Sequence, residues 1–182
     1  MDASGKSTQA DKLRQKLLSS GLSVHIRFHP SSDNWFGRKG RRFLLAEGKS
    51  AHLASAIFYI ADVTRSILTT PWRRVHHIIY VRYLMGTAYL PSPLDRILYK
   101  FFEIVLPRPD VKLFLEVSPE EAYKRIIKNR TEKEMFESMD QLVKIGMKVK
   151  SLAELHDWTI VDADRRENEI EEFIASMVPS LK

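Results

Sequence analysis

The densest concentration of chemistry in this 182-residue chain lies close to its amino end, in Ala3-Ser4-Gly5-Lys6-Ser7-Thr8. A short glycine-bearing loop that opens a helix turns backbone N–H groups, and the positive end of the helix dipole, toward an anion. Lys6 is placed to reach the β and γ phosphates of a nucleotide, and the Ser7 hydroxyl to take one coordination position on Mg²⁺. Leu13, Leu17 and Leu18 give the following segment the apolar face of a helix, the context this loop requires. The pattern predicts a site for ATP and Mg²⁺, held by Ala3, Ser4, Gly5, Lys6, Ser7 and Thr8.

Other residues are more ambiguous. Arg82 follows a β-branched run, where an inward-facing charge is costly unless it binds something. Arg38 to Arg42 and Arg73-Arg74 form basic clusters that read equally as a solvated face or as phosphate contacts. The net charge of +6 and the 29 Lys and Arg residues suit a nucleotide or a polynucleotide, so a nucleic-acid-binding role rests on charge alone and is not expected. His76 and His77 are adjacent on a strand and face opposite ways, giving no metal set, while Glu116 at a strand end is a candidate metal-side carboxylate. With no cysteine there is neither a disulfide nor a thiolate metal site.

Short β-branched runs alternate with longer amphipathic segments, which predicts a parallel sheet covered by helices on both faces. Strands are expected at 23–28, 75–81, 111–117 and 158–161, and helices at 6–20, 51–70, 94–105, 119–129, 136–156 and 167–177. Ser118-Pro119-Glu120-Glu121 reads as a capping box, Gly21 as a helix stop, and Pro71 as the end of the long helix. At 44% hydrophobic, the chain is sized for a single domain over residues 1–182. No apolar run is long enough to span a bilayer and no secretory signal is evident, so a cytoplasmic protein without a membrane partner is expected.

The complete phosphate loop needs a glycine five positions before Gly5, and a buried strand before that. Neither is in this sequence. The expected architecture is therefore a three-layer α/β phosphate-loop fold without its first, central strand, either because the natural chain starts upstream or because other residues fill the place.

On these residues the chain resembles the thymidylate kinases, which pass the γ phosphate of ATP to dTMP. Asp2-Ala3-Ser4-Gly5-Lys6-Ser7-Thr8 matches their loop, and the resemblance implies that Asp2 approaches the acceptor's sugar hydroxyl. His29-Pro30 stands where the family has Glu-Pro, with Gly37 and Arg41 at the family's spacing, implying that Arg41 grips the acceptor phosphate. Tyr59-Ile60-Ala61-Asp62-Val63 keeps the aromatic residue that stacks on the base, although Tyr59 reads equally well as core, and has Val63 where the family has Arg. Val81-Arg82-Tyr83 has Val81 in place of Asp, and Gly86 to Tyr89 resembles the base-reading segment. Tyr59, Arg82 and Tyr89 are thus implied acceptor contacts.

Arg125, Arg130 and Glu134-Met135-Phe136-Glu137 resemble the lid over ATP, placed at about 128–137, and Asp162 resembles the turn beside the adenine. With Ala3 in the loop rather than a basic residue, Arg130 is the implied transition-state cation, so the implied catalytic set is Lys6, Arg41 and Arg130. Arg65 lies on another helix face and is a poor substitute for the cation absent at Val63. A nucleoside monophosphate kinase is the implied activity, and a non-catalytic ATP-binding regulatory homologue the alternative. Family members commonly pair, and Leu53 to Leu68 offers a face for a homodimer.

Overall fold

A computed structural model describes residues 3–44, 49–90, 92–129 and 139–181. The elements run α1 (Lys6–Ser19), β1 (Val24–Phe28), α2 (Trp35–Leu44), α3 (Lys49–Thr69), β2 (His77–Val81), a 3₁₀ turn (Leu84–Tyr89), α4 (Leu94–Val105), β3 (Leu113–Glu116), α5 (Pro119–Asn129), α6 (Met139–Leu155), β4 (Thr159–Asp162) and α7 (Glu167–Ser176), with a short 3₁₀ turn at Pro179–Leu181.

Local chemistry sets several of these boundaries. α1 closes in a Schellman motif: the Leu22 N–H donates to the Leu17 carbonyl at 3.1 Å and the Gly21 N–H to that of Leu18 at 3.0 Å. Gly21 has φ 78°, which glycine adopts without a Cβ penalty. α5 starts at Pro119, with the Ser118 hydroxyl accepting the Glu121 N–H at 3.4 Å. The reciprocal half of the expected capping box is absent. The Ser118 N–H is already donated to Asp164, and the Glu121 carboxylate pairs with Arg125 at 2.9 Å.

α2 was not legible as a helix because Gly37 and Gly40 lower its intrinsic propensity. Asn34 caps it, its side-chain oxygen accepting the Gly37 N–H at 3.0 Å. A Cβ on Gly37 would fall far inside contact with the Ser31 carbonyl, so only glycine lets the first turn of α2 lie against that backbone. Gly37→Ala is expected to lower the unfolding free energy by about 1–3 kcal/mol, as overpacking against unyielding backbone does; a shift in the denaturant midpoint measures it.

β1 and β2 pair in parallel from Val24↔His77 to Phe28↔Val81, and β3 and β4 from Leu113↔Thr159 to Glu116↔Asp162. Among the described residues no ladder joins the two pairs, and the expected central strand is not among the four observed. What spans them is packing. One apolar cluster draws Tyr59 and Val63 from α3, Tyr99 and Phe102 from α4, Phe114 from β3 and Val149 and Leu152 from α6, with Tyr80 of β2 against it. On the opposite face Leu115 and Val161 pack with Ile126, Ile170 and Ile174. Neighbouring residues Phe114 and Leu115 thus enter different clusters, the two-residue period of a sheet covered on both sides. α1 touches β1 and β2, while Leu13 and Ala3 reach the second cluster, so the phosphate loop opens where the two strand pairs meet.

Candidate active site

The loop is bent by two left-handed residues, Ala3 at φ 54° and Gly5 at φ 79°. Gly5 caps α1, whose first turn carries no acidic side chain, leaving its positive end uncompensated by protein. Ser4 is buried beneath the loop, and the Lys6 ammonium lies 3.3 Å from its hydroxyl; Ser7 and Thr8 are exposed on the first turn.

Neighbouring elements hold this loop in place. The Arg125 guanidinium donates to the Ala3 carbonyl at 3.4 Å and to the Ala163 carbonyl at 3.2 Å, so α5 straps the loop to the turn after β4. Gln9 donates to the Glu167 carbonyl at 3.0 Å, and Lys12 pairs with Glu167 at 2.7 Å and Glu171 at 2.9 Å, fixing α1 to α7. Asp162 caps its own turn, accepting the Asp164 N–H at 3.0 Å. Glu116 is paired with Lys150 at 2.9 Å.

The second half of the site lies at the carboxyl ends of β1 and β2. Arg82 leaves β2 with φ 63°, a strained conformation for a residue with a Cβ, and its guanidinium sits 5.9 Å above the Tyr89 ring. Tyr59 belongs to the core here: its ring packs so closely on Gly86 that a Cβ there would collide with it, and its hydroxyl donates to the Tyr83 carbonyl at 2.9 Å. Its place in the structure is to support the segment carrying Tyr83 to Tyr89. Lys148 holds the other side of that segment, donating to the Leu90 and Ala88 carbonyls and pairing with buried Asp95 at 3.0 Å. Lys148→Met strands the Asp95 carboxylate and should cost about 1–3 kcal/mol of stability, read from thermal unfolding.

Sequence reasoning missed the most elaborate polar cluster. Asp62 and His29 both have fully buried side chains, with His29 Nδ1 2.9 Å from Asp62 Oδ2. The same carboxylate accepts the Ser31 N–H at 2.8 Å, the Asn34 amide at 2.6 Å and the Ser31 hydroxyl. Burial pushes the Asp62 carboxyl up, but the bonds from His29, Ser31 and Asn34 outweigh it and hold it well below the usual carboxylate range. Beside it the Arg27 guanidinium, 2.7 Å away, brings Asp33 down to about 2. Asn34 and the turn after β1 were visible signals, but 33 residues separate His29 from Asp62 and only the fold pairs them.

Val63 is fully buried in the apolar cluster, and Arg65, two residues further along α3 and on another face, lies 4.0 Å from Asp33. Arg41 is exposed on the last turn of α2. Asp2, Arg130 and residues 131–137 of the expected lid lie outside the described residues. Among the described residues no three His, Asp or Glu side chains gather into a metal-binding group, and no helix is long and apolar enough to cross a membrane.

The sequence that forms this fold and loop matches a known family along nearly its whole length. The thymidylate kinase family model covers residues 1–174. Relatives include a thymidylate kinase of Leptospira interrogans, 26% identical over 177 residues, which span 93% of this chain and 86% of that one. A probable thymidylate kinase of Pyrobaculum calidifontis is 26% identical over 185 residues, covering 98% of this chain and 92% of its own. The thymidylate kinase of Desulfotalea psychrophila is 29% identical over 160 residues, 84% of this chain and 78% of its own. With its glycine-capped phosphate loop, parallel strands and near full-length match, the chain belongs to the thymidylate kinase family of nucleotide kinases.

Proposed function

We propose that this protein is a single-domain nucleoside monophosphate kinase that transfers the γ phosphate of ATP to dTMP or a related nucleoside or deoxynucleoside monophosphate. The observation that carries the reading is the loop itself: left-handed at Ala3 and Gly5, free of acid in the first turn behind it, and opening beside the strand ends that present Arg82. A triphosphate fits such a cradle of backbone amides. Lys6 supplies the ammonium for its outer phosphates, and Ser7, exposed on the first turn, the one protein hydroxyl for Mg²⁺. When bound, the metal would supply neutralisation of charge on the phosphates, with Ser7 as the residue that would hold it.

Phosphoryl transfer asks the protein for alignment and positive charge rather than covalent chemistry. Lys6 acts on the donor side and Arg82 on the acceptor side, with Arg41 as the acceptor-phosphate contact and Arg130 as the transition-state cation. Arg125 acts by fixing the loop's backbone to the turn beside Asp162, where the adenine is expected. Asp2 and Tyr89 meet the acceptor nucleoside, while Tyr59 holds the Tyr83 to Tyr89 segment in register. We place the protein in the cytoplasm as a homodimer through α3, whose Leu53, Ile57 and Leu68 are exposed.

The test is a coupled assay of ADP formation with Mg²⁺–ATP and a panel of nucleoside monophosphates. Saturable turnover with dTMP or a close analogue is expected. ATP binding with no turnover for any acceptor would replace this reading with that of a non-catalytic nucleotide binder.

A further inference from the structure

Lys148, midway along α6, has so far a role in stability only, yet the groups it holds converge on a single residue. An ammonium carries three N–H donors and no acceptor. Lys148 directs its ammonium at three acceptors: the Ala88 carbonyl at 3.3 Å, the Leu90 carbonyl, and the Asp95 carboxylate at 3.0 Å. The two carbonyls belong to the residues on either side of Tyr89, so α6 grips the chain just before and just after it. Asp95, 3% exposed at the start of α4, fixes the ammonium from the other side.

Tyr89 is the last residue of the 3₁₀ turn Leu84–Tyr89. Within the turn the Thr87 hydroxyl donates to the Leu84 carbonyl at 2.9 Å, and the Leu90 N–H closes its end on the Thr87 carbonyl at 2.9 Å. Lys148 adds a cation at the carbonyl end of the turn, where positive charge is favoured, and ties that end to α4 and α6. Ala88 and Leu90 are buried, whereas Tyr89 between them is half-buried. The Arg82 guanidinium lies over the Tyr89 ring, 5.9 Å from its centre. A cation held on an aromatic face follows the plane of the ring, so the direction in which Tyr89 leaves the chain governs where Arg82 points.

We propose that Lys148 is a positioning residue for the acceptor side: by fixing the carbonyls that flank Tyr89 it sets the Tyr89 ring, and through that ring the Arg82 guanidinium. This role rests on the kinase reading and extends it to a residue of α6 that lies outside the phosphate loop and the strand ends. It needs no contact between Lys148 and either nucleotide. A role in stability alone would lower the amount of folded protein and leave the KM of each substrate as it is in wild type.

The experiment compares wild type with Lys148→Met, Lys148→Arg, Tyr89→Ala and the double variant Lys148→Met with Tyr89→Ala, each assayed well below its own unfolding midpoint with the monophosphate that turns over best. At saturating Mg²⁺–ATP, Lys148→Met is expected to raise the KM for that acceptor about tenfold with the KM for ATP unchanged, the loss that follows a misplaced contact. Lys148→Arg keeps a cation opposite Asp95 but spreads its donors over a planar fork, so it should recover part of the loss. In the Tyr89→Ala background Lys148→Met should add less than about twofold, because the ring through which it acts is gone. An acceptor KM at the wild-type value in Lys148→Met, an equal rise in both KM values, or effects of Lys148→Met and Tyr89→Ala that simply multiply overturns the proposal. Should Lys148→Met fail to fold, Lys148→Arg decides: a raised acceptor KM that vanishes in the Tyr89→Ala background supports the role, and a wild-type acceptor KM overturns it. Absence of turnover with every monophosphate sinks the kinase reading and this inference together, whereas turnover indifferent to Lys148 sinks this inference alone.

Discussion

Asp62→Ala is expected to lower the unfolding free energy by about 3–5 kcal/mol, the scale seen when one partner of a buried charged network is removed. The loss has an identifiable origin. Asp62 is fully buried, and its removal leaves the Ser31 N–H and hydroxyl, the Asn34 amide and the His29 ring facing apolar surroundings in place of a carboxylate. Each unsatisfied donor carries its own desolvation cost, and Asn34 also caps α2, so the helix start loosens with the network. Asp62→Asn is expected to recover little, because its NH₂ would confront groups that are themselves donors.

The same network sets an acid dependence. The folded-state value of Asp62 lies below the ordinary one, so its stabilisation is complete above the unfolded carboxyl value near ~4 and is lost as pH falls further. Asp33, at about 2 through Arg27, loses its contribution over the interval from about 4 to 2, in smaller measure because its side chain is half exposed. Chemical denaturation across pH 6 to 2 should therefore show wild type losing stability more steeply than Asp62→Ala below about pH 4.

Lys6→Ala carries the largest expected effect on activity, a fall of about 10²–10³-fold in kcat/KM for ATP, the range for deleting one preorganised electrostatic contact to a developing charge. Lys6 sits behind a loop bent by Ala3 and Gly5, at the positive end of α1, and its ammonium is within 3.3 Å of Ser4. Because Lys6 is only partly buried, the thermal midpoint should move little, as for ordinary surface substitutions. Steady-state kinetics and a melting curve on the same preparation separate lost chemistry from lost fold. Lys6→Arg should rescue only in part, since a planar guanidinium cannot occupy the place of a compact ammonium.

Elements whose signals are local were legible in the sequence. Gly21 ended α1, Ser118-Pro119 began α5, and α4 and α5 have the expected bounds of Leu94–Val105 and Pro119–Asn129. The strands came out shorter than expected, as with β2 at His77–Val81, because residues such as Val75 and His76 lack ladder partners there. α2 was missed because its two glycines lower helix propensity, and Gly37 is there for a tertiary reason, its approach to the Ser31 backbone. For Tyr59 the sequence left core and ligand contact open, and packing on Gly86 together with the bond to Tyr83 places the ring in the core. The His29–Asp62 dyad was beyond reach for the same kind of reason: no spacing rule joins a strand end to a helix 33 residues later.

The central claim is that the loop at the amino end of α1 holds a triphosphate whose terminal phosphoryl group passes to a monophosphate at the ends of β1 and β2. It is tested most directly by incubating the protein with Mg²⁺ and ATP labelled in the γ phosphate together with dTMP, and following the label. The account predicts that label appears in the β phosphate of dTDP in step with ADP, and that Lys6→Ala abolishes nearly all of the transfer. Label released only as inorganic phosphate, or transfer that proceeds undiminished in Lys6→Ala, would contradict it.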